Sequence, residues 1–216
     1  SVPLMITGIT INLYSNLDLI MLGYFDQTKT VGIYSAMYSL ATMVSFFLSS
    51  FGYLYMPISS RIDASEGSQE IQDAYNVVAT WTTFTTVPVF VIISIFPQTL
   101  IQLTFGMNFT DGAVSLVIIA GAYVLSAIIG PNRTTLLSLG YNRSIMIYSS
   151  IAFIINTILN LALIPGFSSI GAATATFAGY LLMNMLYSAH LYWVAGIFPR
   201  PAPRHITKVL REIRTN

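Results

Sequence analysis

The sequence has no cysteine and very few charged residues. Only 8% of its 216 residues are charged, whereas an ordinary soluble domain has about 25%. Hydrophobic residues make up 55% of the chain, and its mean hydropathy is +0.71. Without cysteine there can be no disulfide framework, and with so little charge an ordinary soluble enzyme or a disordered chain is excluded. The composition indicates an integral membrane protein.

Motifs for common enzyme chemistry are absent as well. The sequence contains no GxxxxGK[ST] phosphate-binding loop, no HExxH zinc motif and no GxSxG nucleophile elbow. Its two histidines, His190 and His205, have no cysteine or histidine partners at metal-ligand spacing. We therefore expect neither an enzyme nor a nucleic-acid-binding protein.

Long apolar runs predict the fold. A membrane-spanning helix needs about 20 apolar residues, so continuous runs of this length predict helices rather than the strands of a barrel. The predicted spans lie near residues 3–25, 33–59, 74–96, 112–136, 145–164 and 171–197. The predicted class is an all-α polytopic membrane protein. Its domains are a six-helix lobe over residues 1–198 and a tail over residues 199–216, with a short interfacial turn expected in residues 97–111.

The distribution of positive charge predicts the orientation. Of the nine Lys and Arg residues, all except Lys29 lie on one side of the predicted membrane, in alternate connections and in the tail. Cytoplasmic loops carry the excess of Lys and Arg, so both termini of this segment are predicted to be cytoplasmic. The expected location is the cytoplasmic membrane.

The end of the tail has the pattern of a basic amphipathic helix. Its apolar positions follow helical spacing and its basic residues occupy other positions. These are Ile206, Val209, Leu210 and Ile213, and Lys208, Arg211 and Arg214, respectively. Such helices lie on anionic membrane surfaces, so we expect residues 204–216 to contact lipid. A docking site for a partner protein is the alternative.

Polar residues within the predicted spans are candidates for function. Asp18 lies inside the first span, where an unpaired carboxylate costs on the order of 3 kcal/mol or more, so it needs a partner. Asn12 and Asn16 are four residues apart on the same helix, and we expect all three side chains to face the bundle interior. Asn156 and Asn160 show the same spacing in the fifth span.

The sixth span begins with GAATATFAG, residues 171–179, in which small residues allow close helix contact and Thr174 and Thr176 offer hydroxyls. One carboxylate, two amide oxygens, a hydroxyl and a backbone carbonyl could bind a monovalent cation. Hydrogen bonding between helices is an equally good interpretation of these residues.

Arg133 follows Gly130, Pro131 and Asn132 at the end of the fourth predicted span. A Gly-Pro pair bends a helix and frees backbone carbonyls, which is tolerated where the backbone lines a cavity. A guanidinium in such a cavity would suit a phosphate or diphosphate. The alternative is a cytoplasmic-end arginine that only sets orientation.

Three stretches resemble a known family. They are NLDLIMLGYFDQTKTVGIYSAMYSL (residues 16–40), LTFGMNFTDGAVSLVIIAGAYVLSAIIGPNRTTLLSLGYNR (103–143) and NTILNLALIPGFSSIGAATATFAGY (156–180). Their order and spacing resemble the C-terminal half of a polysaccharide, or lipid-linked oligosaccharide, flippase of the multidrug/oligosaccharidyl-lipid/polysaccharide (MOP) exporter superfamily.

The resemblance implies a transporter of two six-helix lobes, of which this chain is the second and the N-terminal lobe is missing from it. It implies alternating access for a lipid-linked glycan, with sodium or a proton as the coupling ion. By similarity, the cation would bind Asp18, Asn156, Asn160, Thr176 and the carbonyl of Ala172. The substrate cavity is expected to include Asn12, Asn16, Asn132 and Arg133.

Two alternatives remain open at this level. A cation-coupled multidrug exporter of the same superfamily would have an aromatic and acidic cavity. A membrane scaffold that does not transport would dock polysaccharide-assembly enzymes through its basic tail. The carboxylate of Asp18 inside a span favours a transporter, because a scaffold has no need for it.

Overall fold

The computed structural model describes residues 16–59 and 68–198, and every regular element in these two ranges is helical. We label residues 16–25 as α1. The later helices are α2 (Thr28–Ser59), α3 (Ser68–Ile95), α4 (Pro97–Thr104), α5 (Ala113–Ile129), α6 (Asn132–Ser138) and α7 (Asn142–Ala195), with a 3-10 turn at Met107–Gly112. The predicted all-α class is confirmed. Residues 97–111, where a short interfacial turn is expected, contain α4 and most of the 3-10 turn, and their position at the membrane surface stays a prediction.

Within the described ranges, four helical segments are long and apolar enough to cross a membrane. They are Thr28–Pro57, Gln69–Ile95, Met107–Ile129 and Asn142–Ala195. The first three have 30, 27 and 23 residues, which suits a hydrocarbon core about 30 Å thick at about 1.5 Å of rise per residue. These helices confirm a multi-pass membrane protein.

Helix α7 is a hairpin rather than one rod. Its 54 residues would extend about 80 Å if they were straight. Ser168, with φ 51° and ψ −130°, interrupts the helix near its middle. The Ser149 and Tyr187 hydroxyls are 2.8 Å apart, so the chain must reverse between them. We call residues 142–167 the first arm and residues 169–195 the second arm, and they match the fifth and sixth predicted spans.

The reversal of α7 depends on close backbone contact. A Cβ atom added to Gly171 would lie 2.5 Å from the carbonyl oxygen of Leu163 on the first arm. No side chain fits in that space, so glycine lets the second arm start directly against the end of the first.

A single fourth span over residues 112–136 is a wrong prediction. Helix α5 ends at Ile129, and Gly130 has φ 99°, which is outside the helical region. The Tyr75 hydroxyl donates to the carbonyl oxygen of Ile129 at 2.7 Å, and the Thr82 hydroxyl donates to that of Ala127 at 3.1 Å. Because α3 satisfies these freed carbonyls, the Gly-Pro pair breaks the helix instead of merely bending it.

Two apolar clusters hold the helices together. The first packs α1, α2 and α5 against both arms of α7 and includes Met37 and Leu116. The second surrounds the break after α5 and includes Tyr55, Tyr75 and Tyr187. Most of predicted span 3–25, together with Asn12 and the tail, lies outside the described residues, so the count of six spans and the role of residues 204–216 stay predictions.

Candidate functional site

A buried carboxylate lies where four helical segments meet. Asp18 on α1 is only 1% exposed. The Tyr34 hydroxyl on α2 donates to its Oδ2 at 2.8 Å, and the Asn160 amide on the first arm of α7 donates to its Oδ1 at 2.6 Å. The Thr176 hydroxyl on the second arm also donates to Oδ2. Asp18 therefore has the partners that its position in a membrane requires.

The two asparagines of the first arm are both fully buried at this site. Asn160 Nδ2 donates to Asn156 Oδ1 at 3.2 Å as well as to Asp18. Asn160 Oδ1 has no hydrogen-bond partner, and the Asn156 side chain also interacts with Asp18. The Asn160 amide oxygen is an acceptor beside the carboxylate.

The second arm presents its two candidate threonines to different surroundings. Thr176 is buried against Asp18, whereas Thr174 is exposed and its hydroxyl donates to the Ile170 carbonyl. Ala172 is buried one helical turn before Thr176. Thr174 is therefore not part of the site. The residues that lie together there are Asp18, Asn156, Asn160 and Thr176, with Ala172 one turn away on the second arm.

Tyr34 is a member of this site that the sequence did not identify. Its side chain is 1% exposed, and its hydroxyl also lies 3.4 Å from Thr176 Oγ1. It belongs to the Val-Gly-Ile-Tyr-Ser start of the second span, which was used only for family resemblance. Buried tyrosines need a partner for the hydroxyl, and this need is the one signal that pointed to it.

The carboxyl group of Asp18 has no basic partner among the residues that the structure describes. The ion pair found there joins Lys29 and Asp111, at 3.8 Å and largely exposed. In the same ranges no three His, Cys, Asp or Glu side chains group as metal ligands. One carboxylate with amide and hydroxyl oxygens is a donor set that fits a monovalent cation or a proton.

A cavity of about 310 Å³ opens near the break after α5. Its walls come from α2, the end of α5, α6 and the second arm of α7. They are rich in hydroxyl and amide groups, including Ser45, Ser49, Ser126, Asn184, Tyr123 and Tyr180. Asn132 and Arg133, both predicted cavity residues, line it as well.

Asn132 and Arg133 differ in what they offer to a ligand. Asn132 is buried, and its Nδ2 donates to the carbonyl and side-chain oxygens of Asn184 at 3.2 and 3.1 Å. Its Oδ1 accepts the backbone amide of Arg133 at 2.7 Å. Asn132 therefore holds α6 against the second arm through hydrogen bonds. Arg133 is half-buried and interacts with the Tyr187 hydroxyl, and its Nε has no partner.

Asn16 does not share the environment of Asp18. It is exposed at the start of the described part of α1, and the walls found for the cavity do not include it. Residues two apart on a helix point about 200° apart, so burial of Asp18 turns Asn16 outward. Asn16 therefore does not point to the interior of the described helices with Asp18, and its place in the substrate cavity stays a prediction. Asn12 lies outside the described residues.

Solved transporters share this fold. An outward-facing multidrug resistance MATE family transporter of the MOP superfamily matches with a TM-score of 0.68 and 18% identity, over 97% of this chain and 49% of its own. A MOP superfamily transporter from Pyrococcus furiosus, described as having a binding pocket of reverse polarity, matches with a TM-score of 0.64 and 16% identity, over 94% of this chain and 46% of its own. At these identities the likeness shows the fold alone.

Sequence comparisons point the same way. Residues 1–63 match a family model described as "Polysaccharide biosynthesis protein". The chain is 26% identical over 181 residues to the "Probable low-salt glycan biosynthesis flippase Agl15" of Haloferax volcanii, covering 82% of this chain and 38% of that protein. It is 26% identical over 179 residues to an uncharacterized membrane protein of Methanocaldococcus jannaschii, covering 77% and 33%.

These comparisons confirm the resemblance to MOP-superfamily flippases. The fold is that of one half of a MOP-superfamily transporter, because each solved structure is matched over nearly all of this chain and about half of its own length. The chain spans less than two fifths of either curated relative.

Proposed function

We propose that this chain is the C-terminal lobe of a flippase. The whole transporter would move a lipid-linked oligosaccharide or polysaccharide precursor across the cytoplasmic membrane by alternating access. The family match in residues 1–63 and the similarity to Agl15 support this substrate class. An N-terminal lobe would supply the opposite wall of the pathway. No covalent step is needed, which agrees with the absence of enzyme motifs from the sequence.

The buried Asp18 carboxylate is the observation that carries the proposal of cation coupling. On α1, it accepts hydrogen bonds from α2 and from both arms of α7, yet no basic side chain pairs with it within the described ranges. A sodium ion or a proton would supply the missing positive charge. A bound ion shifts the equilibrium between the two facing states only if it binds one of them more tightly. Because four helical segments form the Asp18 site, movement of any one of them would change its affinity.

The cavity suits the polar part of such a substrate. Hydroxyl and amide side chains can exchange hydrogen bonds with a glycan, and the fork of donors on Arg133 can bind a diphosphate. The polyprenyl tail would stay in the bilayer, where it needs no polar pathway. Asn132 would act indirectly, by holding the backbone of Arg133 in place.

The test is flipping of a fluorescent polyprenyl-diphosphate oligosaccharide in proteoliposomes that contain this chain together with its N-terminal lobe. Native protein, Asp18→Asn and the surface control Asp111→Asn are compared with and without a sodium gradient and with and without a proton gradient. We expect native protein and Asp111→Asn to need a gradient, and Asp18→Asn to lose that dependence. Full activity and unchanged gradient dependence in Asp18→Asn would overturn the coupling role.

Export of lipophilic cations is the second candidate. Four tyrosines in the cavity wall, at positions 53, 123, 180 and 187, favour it because aromatic faces attract cations. Arg133 in the same wall opposes it, because it repels them. Saturable binding of a fluorescent lipophilic cation, combined with no glycolipid flipping, would select the exporter over the flippase.

A further inference from the structure

Helical hydrogen bonding stops at the break after α5. Gly130 has φ 99°, and Pro131 has no N–H to donate. The backbone amide of Asn132 donates to the carbonyl oxygen of Gly130 at 2.9 Å. That of Arg133 donates to Asn132 Oδ1 at 2.7 Å, rather than to a carbonyl of α5. The angle between α5 and α6 therefore depends on contacts with other segments.

One side chain on the second arm of α7 contacts both sides of this break. Asn184 Nδ2 donates at 2.9 Å to the hydroxyl oxygen of Ser126, which lies on α5 one turn before Gly130. Asn184 Oδ1 accepts a hydrogen bond at 3.1 Å from Nδ2 of Asn132, the first residue of α6. All three of these polar side chains are buried. The Asn184 amide therefore bridges the end of α5 and the start of α6.

Further hydrogen bonds fix the orientation of the Asn184 amide. Its Nδ2 also donates to the carbonyl oxygen of Tyr180 at 2.8 Å, one turn earlier on the same arm. Its backbone carbonyl accepts a second hydrogen bond from Asn132, at 3.2 Å. Reversing the amide would place its donor against the Asn132 donor and its acceptor against the Tyr180 carbonyl. Because leaving buried polar groups unpaired is costly, the bridge has one favoured geometry.

Arg133 comes directly after this bridge in the chain. Asn132 uses one end of its side-chain amide to contact Asn184 and the other end to accept the backbone amide of Arg133. Ser126, Asn132, Arg133 and Asn184 all line the same cavity. Since α6 begins at this point, a change in its direction would move the guanidinium within the cavity.

We propose that Asn184 is a positioning residue: by bridging the break after α5, it holds α6 in the direction that aims Arg133 at the diphosphate of the substrate. The inference rests on the proposed function, since it requires a glycolipid whose diphosphate binds Arg133. A bidentate guanidinium contact depends on direction as well as on charge, so a small rotation of α6 weakens it.

The experiment is a double-mutant cycle between Asn184→Ala and Arg133→Gln in the complete transporter, this chain together with its N-terminal lobe. Asn184→Ala leaves other partners for the groups that it frees. Ser126 still donates to a carbonyl of its own helix, and Asn132 Nδ2 still has the Ser188 hydroxyl at 3.2 Å. Affinity for a fluorescent polyprenyl-diphosphate oligosaccharide is measured for native protein, both single variants and the double variant.

Two serines of α5 provide a second variant and a matched control. Ser126→Ala removes the α5 end of the bridge. Ser115→Ala is the control, because Ser115 is also buried on α5 and its hydroxyl also donates to the second arm, to Ser169 at 3.2 Å. Ser115 lies at the other end of α5 from the break. Melting temperatures verify that every variant is folded.

A second measurement reports the break without any ligand. Spin labels are attached through Val114→Cys near the start of α5 and Ser138→Cys at the end of α6, in a chain that has no cysteine of its own. The distance between the labels changes with the angle between the two helices. It is recorded in native protein, Asn184→Ala, Ser126→Ala and Ser115→Ala.

Asn184→Ala is expected to weaken glycolipid binding by about three- to tenfold. The loss is no greater than that in Arg133→Gln, because Asn184 acts only through that side chain. In the Arg133→Gln background, Asn184→Ala and Ser126→Ala change affinity by less than about twofold. Ser115→Ala stays within about twofold of native affinity in either background. The distribution of spin-label distances broadens or shifts in Asn184→Ala and Ser126→Ala only.

The outcomes separate the inference from the proposed function. Native affinity in Arg133→Gln would show that the diphosphate does not bind Arg133, and the inference fails with that part of the proposed function. If Arg133→Gln weakens binding but Asn184→Ala has the same effect in both backgrounds, only the inference is overturned. An unchanged spin-label distance in Asn184→Ala, or an equal change in Ser115→Ala, also overturns the inference alone, because Asn184 would then have no special role at the break.

Discussion

Asp26 and Ser168 repeat the contact of Asp18 and Thr176 about two helical turns further along the same pair of segments. In both pairs a carboxylate at α1 or its end accepts a hydrogen bond from a hydroxyl of α7. Ser168 is the residue at which the α7 hairpin reverses. The hydrogen bond between Ser168 and Asp26 therefore holds the connection between α1 and α2 against the turn of the α7 hairpin.

This contact predicts a weak dependence of stability on pH. The Ser168 hydroxyl, followed by the backbone amide of Gln27, lowers the pKa of Asp26 below its ordinary value. A lowered pKa in the folded state stabilises the protein above the ordinary pKa, and that contribution is lost as the pH falls through the lowered value. Melting temperature should therefore decrease at acidic pH less steeply in Ser168→Ala and Asp26→Asn than in native protein.

Because Asp26 is only partly buried, the expected change in slope is small. Thermal melts of purified protein between about pH 3 and 6 measure it, since this range surrounds the ordinary aspartate pKa. Ser168→Gly separates the contact from the backbone. It also loses the hydroxyl but tolerates φ 51°, so it should be more stable than Ser168→Ala by about 1–3 kcal/mol. Identical pH slopes in native protein and both Ser168 variants would contradict this account.

The break after α5 predicts a strong effect of a single methyl group. Gly130 has φ 99°, and a Cβ atom there would lie 2.9 Å from Ala79 Cβ and 3.1 Å from Tyr75 Cε1. Gly130→Ala combines backbone strain with overpacking, and we expect it to destabilise the protein by about 2–5 kcal/mol.

Gly140→Ala is the matched control for this prediction. Gly140 also has a positive φ, 85°, but a Cβ atom there would meet nothing within 4 Å. Its replacement should cost only the backbone term, about 1–2 kcal/mol. Thermal unfolding of the two variants in detergent compares the costs, and equal destabilisation would show that packing around Gly130 contributes nothing.

Sequence patterns predicted the fold better than the site. Apolar runs located the helices because each run must match the thickness of the bilayer. The rule that a polar group within a span needs a partner singled out Asp18, and the family resemblance grouped it with Asn160 and Thr176. The structure brings these three side chains together. The break at Gly130 was underestimated, because its effect depends on donors from α3 that are distant in sequence.

The predictions for two side chains near Asp18 were incomplete, for different reasons. Asn16 is close to Asp18 in sequence, but the helix turns it away from the site. Tyr34 joins the site from another helix, and its apolar ring makes it look like an ordinary core residue in the sequence. The position of Tyr34 depends on how α1 packs against α2, which the periodicity of either helix alone does not fix. The direction of Asn16 follows from its spacing of two residues from Asp18.

The two threonines of the sixth predicted span provide a direct test of the proposed ion site. Thr176→Val removes a hydroxyl that contacts Asp18 while it keeps the size and branching of the side chain. Loss of one hydrogen bond to a charged group costs about 1.5–3 kcal/mol, so stability should fall by that amount. Affinity for sodium should fall by about tenfold or more, since 1.4 kcal/mol corresponds to a factor of ten.

Thr174→Val is the control, because Thr174 lies on the same arm, is exposed and bonds only to the helix backbone. It should leave both stability and sodium-dependent stabilisation close to native values. Melting temperature as a function of sodium concentration measures both quantities. A sodium response that is unchanged in Thr176→Val would remove this threonine from the ion site.

Arg133 is the one basic residue found in the cavity wall. It either binds the substrate or only sets the orientation of the protein in the membrane. If it binds the diphosphate, Arg133→Gln should weaken binding of a polyprenyl-diphosphate oligosaccharide by about tenfold or more, through loss of charge-assisted hydrogen bonds. Arg133→Lys should be intermediate, because lysine keeps the charge but lacks the planar fork. Inorganic pyrophosphate should compete with the glycolipid in native protein and much less in Arg133→Gln.

Arg143→Gln is the control for this last prediction, because Arg143 is exposed at the start of α7 and carries the same charge on a neighbouring segment. An interaction with the cavity predicts a loss of affinity in Arg133→Gln alone. An equal loss in both variants, disappearing at high salt, would indicate general surface electrostatics, since exposed charges are screened beyond about 10 Å at 0.1 M salt. Native affinity in Arg133→Gln would instead favour a role in membrane orientation, with the diphosphate bound by the other lobe.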